Sequence, residues 1–160
     1  MRSRKVERIS AGFTLVELMI VVAIVGLLAT IALPQFGVLR LRARRAELPV
    51  NLQSIRSAEK AYQHEWDTFT ACQAAPSAAP GRSARDFGHT FGDNSDWDML
   101  GWIADGPVFG QYSIDVTTGA LVVQNFSAQA YGDLDGDGVT SVVVGDRHNK
   151  VLFLTDNAIF

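Results

Sequence analysis

Three aspartates stand at alternate positions, Asp133, Asp135 and Asp137, followed by Gly138. Carboxylates at every second position of a tight turn converge on one hard cation, and the glycine permits the turn. The string matches the first half of a helix-flanked calcium loop. The second half is absent: position 144 is Val where such a loop carries a bidentate Glu, and the flanks read as strands. Two readings stay open. One is a Ca2+ turn with ligands Asp133, Asp135 and Asp137, and Asp146 as a weaker fourth. The other is a solvated Asp-Gly turn that needs no metal. Calcium is the one cofactor suggested, and none is required. Glu17 is the other group of chemical interest, because it is the one ionisable side chain in the apolar run 13–33. A carboxylate within a bilayer costs at least ~2.5 kcal/mol and marks a functional site. His64, His89 and His148 lie far apart, without metal-ligand spacing. There is no nucleophile elbow, Walker loop or dinucleotide fingerprint. No catalytic set follows, and the chain reads as a non-enzyme.

The composition narrows the classes further. The chain has 160 residues, of which 48% are apolar, and a net charge of -3. That length suits one small domain plus an attachment. The charge is too acidic for a general nucleic-acid binder. A single cysteine, Cys72, excludes an intrachain disulfide and a thiolate-rich zinc site. A disulfide between chains, a modification and a free thiol remain, and the free thiol is the expectation.

The apolar run FTLVELMIVVAIVGLLATIAL spans residues 13–33. At a helical rise it measures about 30 Å, the thickness of a hydrocarbon core. Arg2, Arg4, Lys5 and Arg8 against Glu7 leave the segment before it at +3. Such a flank keeps the N-terminus in the cytoplasm and exports the rest. A cleaved secretory signal has a shorter apolar stretch with small residues at its far end, whereas Ala11-Gly12 lies before the run. A plain single-span anchor fits the hydropathy but leaves Glu17 unexplained.

The string Gly12-Phe13-Thr14-Leu15-Val16-Glu17, followed by Leu18-Met19-Ile20-Val21-Val22-Ala23-Ile24, resembles the type IV pilin and pseudopilin family. The close match covers about residues 10–36. The resemblance implies a prepilin peptidase that cuts between Gly12 and Phe13 and N-methylates Phe13. It assigns Glu17 to assembly, and it makes Gly26 and Pro34 helix-weakening positions. It implies a homo-oligomeric helical filament fed by an inner-membrane assembly platform. The precursor would be a single-pass inner-membrane protein, and the product an extracellular pilus or a periplasmic pseudopilus. The function expected is a type IV pilus subunit. A type II secretion pseudopilin or a minor pilin is the alternative, and a membrane-anchored calcium- or glycan-binding module is the second alternative.

Physical reasoning supports these roles. The amine freed at Phe13 would lie four residues before Glu17, and a carboxylate in a low-dielectric bundle needs a partner. The amine of a neighbouring subunit could supply it, the competing reading being a glutamate that snorkels to the interface. Pro34 lacks an N–H and crowds the carbonyl of Thr30. Gly26 lowers helix propensity by about 1 kcal/mol relative to Ala. The segment between them could therefore stretch or melt in a filament, or simply kink.

The elements that position these groups follow from periodicity. Leu48, Leu52, Ile55, Tyr62 and Trp66 share one helical face, with Glu47, Asn51, Arg56, Glu59 and Lys60 on the rest. One long helix over 13 to about 66 is expected, bent at Pro49. Residues 71–85 read as a loop. Trp97, Leu100 and Trp102 read as core anchors. Strands are expected at Gln111–Val116, Ala120–Phe126, Val139–Val144 and Lys150–Leu154, with Thr117-Thr118-Gly119 as a turn. The fold class is α+β: a long N-terminal helix packed on an antiparallel sheet of about four strands. The divisions are a leader (1–12), a membrane or filament-core helix (13–36), its amphipathic continuation (37–70) and a globular head (71–160). Residues 72–160 carry 11 acidic and 4 basic side chains, and Arg40, Arg42, Arg44 and Arg45 form a basic cluster after the apolar run.

Overall fold

A computed structural model describes residues 12–78, 81–119 and 122–160. Residues 1–11 of the expected leader (1–12) and the start of the expected strand at Ala120 and Leu121 lie outside the described residues. The chain divides into two compact units between Val38 and Leu39.

The first unit is helical. Helix α1, Leu15–Arg45, runs without interruption through Gly26 and Pro34. Leu, Ile, Val and Ala surround its axis on every side, so it has no polar face, and its apolar side chains up to Leu39 are largely exposed. Such a helix needs lipid or other helices as its solvent. It is the one helix among the described residues long and apolar enough to cross a membrane, with a window of mean hydropathy 2.7.

The second unit begins in the last turns of α1 and continues into α2, Glu47–Trp66. The long helix expected over 13 to about 66 is present as Leu15–Trp66, with an interruption of its ladder at Ala46, which keeps helical φ and ψ. Pro49 explains the interruption: it cannot donate to the Arg45 carbonyl, and its ring crowds that group. As a first-turn residue of α2, Pro49 is well tolerated. Leu48, Leu52 and Ile55 of α2 are fully buried against the sheet, as the periodicity implied. Trp66 is not: it is 62% exposed. The helix ends at Asp67 in the left-handed region, with its N–H on the Gln63 carbonyl.

Five antiparallel strands form one open sheet in the order of the chain: β1 Cys72–Ala75, β2 Gln111–Gly119, β3 Val122–Gly132, β4 Ser141–Asp146 and β5 Leu152–Phe153. The α+β class holds, with one strand more than expected. The extra strand, β1, lies inside the segment read as a loop. Its outer edge is closed by the short helix α3, Asp96–Leu100. Gln73 donates its N–H to the Asp96 carboxylate, and its carbonyl accepts from Trp97 Nε1 at 2.9 Å. Covering an edge in this way removes a template for uncontrolled strand pairing. The expected turn at 117–119 belongs to β2, which continues until Gly119 faces Val122. The last strand is two residues long rather than five.

The core lies between α2, α3 and the sheet. Trp97, Phe87 and Trp102 meet edge-on or tilted at 5.2–5.5 Å between ring centroids, and Tyr112 continues the cluster from Trp102 at 5.9 Å. Trp97 and Leu100 are buried and Trp102 is half-buried, as expected of core anchors. Cys72 is a buried free thiol in β1, and burial pushes its titration up.

Candidate functional site

The start of α1 is built by four consecutive residues. Thr14 is the residue before the helix, and Glu17 is the third residue inside it. The Glu17 carboxylate accepts the Thr14 N–H at 2.8 Å and the Thr14 hydroxyl at 2.7 Å. In return the Thr14 hydroxyl oxygen accepts the Glu17 N–H at 3.2 Å. This is a capping box, which satisfies donors that a helix start leaves orphaned. The pattern Thr-x-x-Glu is present in the sequence, but the apolar run around it directs attention to the membrane instead. Glu17 therefore has a partner within its own chain and holds its charge at the positive end of the helix dipole.

Gly12 and Phe13 lie immediately before this cap, both exposed and outside any regular element. A peptide bond in that state is open to a peptidase. Gly26 and Pro34 sit inside α1; a Cβ at Gly26 would meet nothing within 4 Å. Thr30, whose carbonyl Pro34 cannot serve, turns its hydroxyl back to the Leu27 carbonyl at 2.6 Å.

The aspartate turn lies in the second unit, between β3 and β4. Oxygens of Asp133, Asp135 and Asp137 all fall within 4.8 Å of one another. The Asp133 carboxylate accepts N–H groups from Gly136 at 2.8 Å, Asp137 at 3.2 Å and Gly138 at 3.1 Å. Asp135 accepts from the Asp137 N–H, and Asp137 from the Val139 N–H. Gly136 and Gly138 adopt φ of 73° and 87°, which explains both glycines. Leu134 is fully buried and pins the turn to the core. Arg82 donates through Nε to the Asp135 carbonyl, and the Arg44 guanidinium donates to the Arg82 carbonyl at 2.9 Å. Asp146 stands apart from the cluster. Its carboxylate accepts the His148 and Asn149 N–H groups at 2.7 and 2.6 Å and closes its own turn after β4.

Three buried charged groups escape the sequence reading: Glu59, Arg45 and Arg56, whose Nε donates to the Asp146 carbonyl at 2.6 Å. Glu59 is 0% exposed, although it was assigned to the polar side of α2. The spacing held the signal: the step of seven from Ile55 to Tyr62 is a four plus a three with Glu59 between. Arg45 is 5% exposed. Its Nε donates to Ser141 Oγ at 2.8 Å, and its terminal nitrogens donate to Asn157 Oδ1, the Thr155 carbonyl and the Asp156 carbonyl at 2.8–3.1 Å. Its guanidinium lies 4.0 Å from the centroid of the Phe153 ring. No feature of the sequence separates Arg45 from Arg40, Arg42 and Arg44; only the tertiary contacts do.

Comparison with known proteins finds matches to a family model and to two relatives. The model of the prokaryotic N-terminal methylation motif matches residues 8–33. A type IV major pilin protein, PilA, of Myxococcus xanthus is 39% identical over 85 residues, which are 53% of this chain and 39% of that protein. A type IV wide pilus major component, PilA4, of Thermus thermophilus is 35% identical over 68 residues, which are 42% of this chain and 52% of that protein. The chain thus spans about half or less of the length of these relatives. No solved structure matches it significantly.

Proposed function

Because the chain carries the N-terminal segment of the type IV pilin and pseudopilin family, we propose that it is a structural subunit of a type IV pilus. The observation that carries the reading is the capped start of α1: a methylation motif, an exposed Gly12-Phe13 bond and a charged Glu17 head an apolar helix with no cover of its own. Cutting between Gly12 and Phe13 leaves that helix attached, so the mature chain is membrane-held until it polymerises. The new amine would be methylated and would sit beside the cap. In a filament the amine of a neighbouring copy competes with Thr14 for the Glu17 carboxylate. A charge-assisted contact in a low dielectric wins that competition. Both relatives are named as major pilus components, which favours a pilus over a secretion pseudopilus. The precursor would occupy the inner membrane and the product would leave the cell.

Intact mass of chain sheared from cells tests processing. The expected mass is that of residues 13–160 plus one methyl group; the mass of all 160 residues, in cells with an active prepilin peptidase, would sink the reading. The role of Glu17 is separated by two variants. Glu17→Gln retains an acceptor for the capping box but no charge. Glu17→Ala loses both. If the charge sets assembly, both variants insert in the membrane and neither forms filaments. Filaments from Glu17→Gln at wild-type yield would reduce Glu17 to a helix cap.

The Asp133–Asp137 turn supports a secondary proposal, a Ca2+ site that the fold does not depend on. In its favour, three carboxylates converge and no Lys or Arg nitrogen among the described residues lies within 4.0 Å of them. A ligand at a hundredfold excess over its Kd stabilises by about 2.7 kcal/mol. Ca2+ should therefore raise the melting temperature of the wild type over EDTA, and Asp135→Asn should abolish the difference. Equal melting in both conditions leaves a metal-free Asp-Gly turn.

A further inference from the structure

The second unit presents two opposite edges of its sheet, and they differ in charge. At the β1 edge, α3 and the loop before it expose Phe91, 70% accessible, and Met99. Residues 86–105 hold five aspartates, Asp86 included, and no Lys or Arg. Asp93, Asp96 and Asp98 are locked in place by backbone donors: Thr90 and Ser95 on Asp93, Gln73 and Trp97 on Asp96, Gly92 and Asn94 on Asp98. These bonds hold the loop as a fixed anionic surface with two apolar knobs. His89 is its one basic group, beside Asp93 at 3.3 Å.

At the β5 edge the order is reversed. Leu152 and Leu154 are exposed, and Phe153 between them lines a half-open pocket of about 460 Å³ with Arg42, Arg45, Ala46 and Asn157. Arg45 forms one wall. It is buried, yet no carboxylate among the described residues lies within 4.0 Å of its guanidinium. All its partners are neutral oxygens, and one of its N–H groups has none among them. Exposed Arg42 adds a second positive charge, and exposed Lys150 stands two residues before β5. Asp156 is the nearby carboxylate; it turns back to the Ala158 N–H at 3.1 Å. Asp156 favours the charge from a distance, but a buried cation in no close ion pair is costly, and an incoming carboxylate relieves that cost.

We infer that, in the pilus, the acidic α3 edge of one subunit docks on the Arg42–Arg45–Phe153 pocket and exposed β5 edge of the next copy of the chain. The inference rests on the pilus reading above. The two patches lie across four strand spacings, roughly 19 Å apart, on opposite edges of one sheet. A contact between unlike patches on opposite sides is heterologous, and repetition of it generates an open helical filament rather than a closed dimer. Phe91 and Met99 would cover Leu152 and Leu154, while the aspartates face the two arginines. Because the acidic loop is already ordered, docking costs little conformational entropy.

The test is a cysteine pair in the full chain: Phe91→Cys together with Leu154→Cys, expressed in cells that assemble the wild type. The two positions are too far apart to bridge within one chain, and native Cys72 is buried. Oxidised filaments of the double variant should give a ladder at integer multiples of the chain mass without reductant, and neither single variant should. Met99→Cys with Leu152→Cys repeats the test at a second pair. Filaments without a ladder from both pairs overturn the contact and leave the pilus reading standing. A linked band containing a different protein overturns it as well. Absence of any filament from the wild type overturns the pilus reading and the contact with it. Arg42→Glu tests the charge without new thiols: about tenfold less filament is expected at low salt, with the deficit shrinking as salt rises. Wild-type yield at low salt would refute the charge pairing.

Discussion

Glu59 places an ionisable group where the fold has little to offer it. One carboxylate oxygen accepts the Thr70 N–H at 3.3 Å, and the other has no partner among the described residues. Burial pushes its pKa from 4.5 up to about 7, against a small lowering by the Thr70 bond. Between those values the unfolded chain loses its proton while the folded chain keeps it. Stability is therefore fully present below about pH 4.5 and declines as pH rises towards 7, by on the order of 3 kcal/mol. Asp93 and Asp146 act in the opposite sense. Hydrogen bonds from Ser95 and Thr90 to Asp93, and from Asn149 to Asp146, hold both below the usual carboxylate range. Their contribution is present above the ordinary aspartate value and is lost as pH falls through the lowered one. Thermal melts should thus be highest at about pH 4 to 4.5. Glu59→Gln should raise the melting temperature at pH 8 and flatten the decline between pH 5 and 7. An unchanged decline in that variant would place its origin elsewhere.

At the scale of elements, the α2–sheet contact is set by a glycine as much as by the leucines facing it. A Cβ at Gly110 would come within 2.3 Å of Leu48 Cδ2 and 2.9 Å of the Tyr112 hydroxyl. That hydroxyl donates to Glu47 at 3.0 Å and accepts from Asn51 at 2.9 Å, so it cannot move aside without breaking bonds. Gly110→Ala should cost about 1–3 kcal/mol, read as a lower melting midpoint. Gly37→Ala, inside α1 with nothing within 4 Å, should be neutral or stabilising. Equal effects at the two positions would mean that α2 does not pack as closely as described. The α2 face was legible because Leu48, Leu52 and Ile55 recur at helical spacing, and β3 and β4 were legible as runs of β-forming residues. The strand β1 was not, because Cys-Gln-Ala-Ala has no strand signature. It is strand only because β2 and α3 supply partners on both sides. The Thr14–Glu17 cap was spelled out in the sequence, but its fourth residue already had a reading as a membrane carboxylate. The Asp-Gly turn was legible as a turn, and Asp146 belonged to another one.

On the scale of the whole molecule, the division at Val38–Leu39 separates two kinds of stability. Arg45 is the one buried residue of α1. The apolar side chains before it have no cover of their own and need lipid or other helices around them. A fragment of residues 39–160 should then fold as a soluble domain and melt within a few degrees of the full chain in detergent. A fragment of 47–160 should not match it. It lacks Arg45, which ties Ser141 at the start of β4 to Thr155, Asp156 and Asn157 near the C-terminus. Loss of those bonds and of the Phe153 contact should lower stability by about 3 kcal/mol. Arg45→Lys in the longer fragment should recover only part of the difference, since an ammonium cannot reach four oxygens in a plane. If 47–160 melts with 39–160, the last turns of α1 belong functionally to the apolar helix. If 39–160 fails to fold, the apolar helix supports the head in a way that its exposure does not reveal. If the order is as expected, the boundary between the apolar helix and the self-sufficient head lies between Val38 and Arg45, before Ala46.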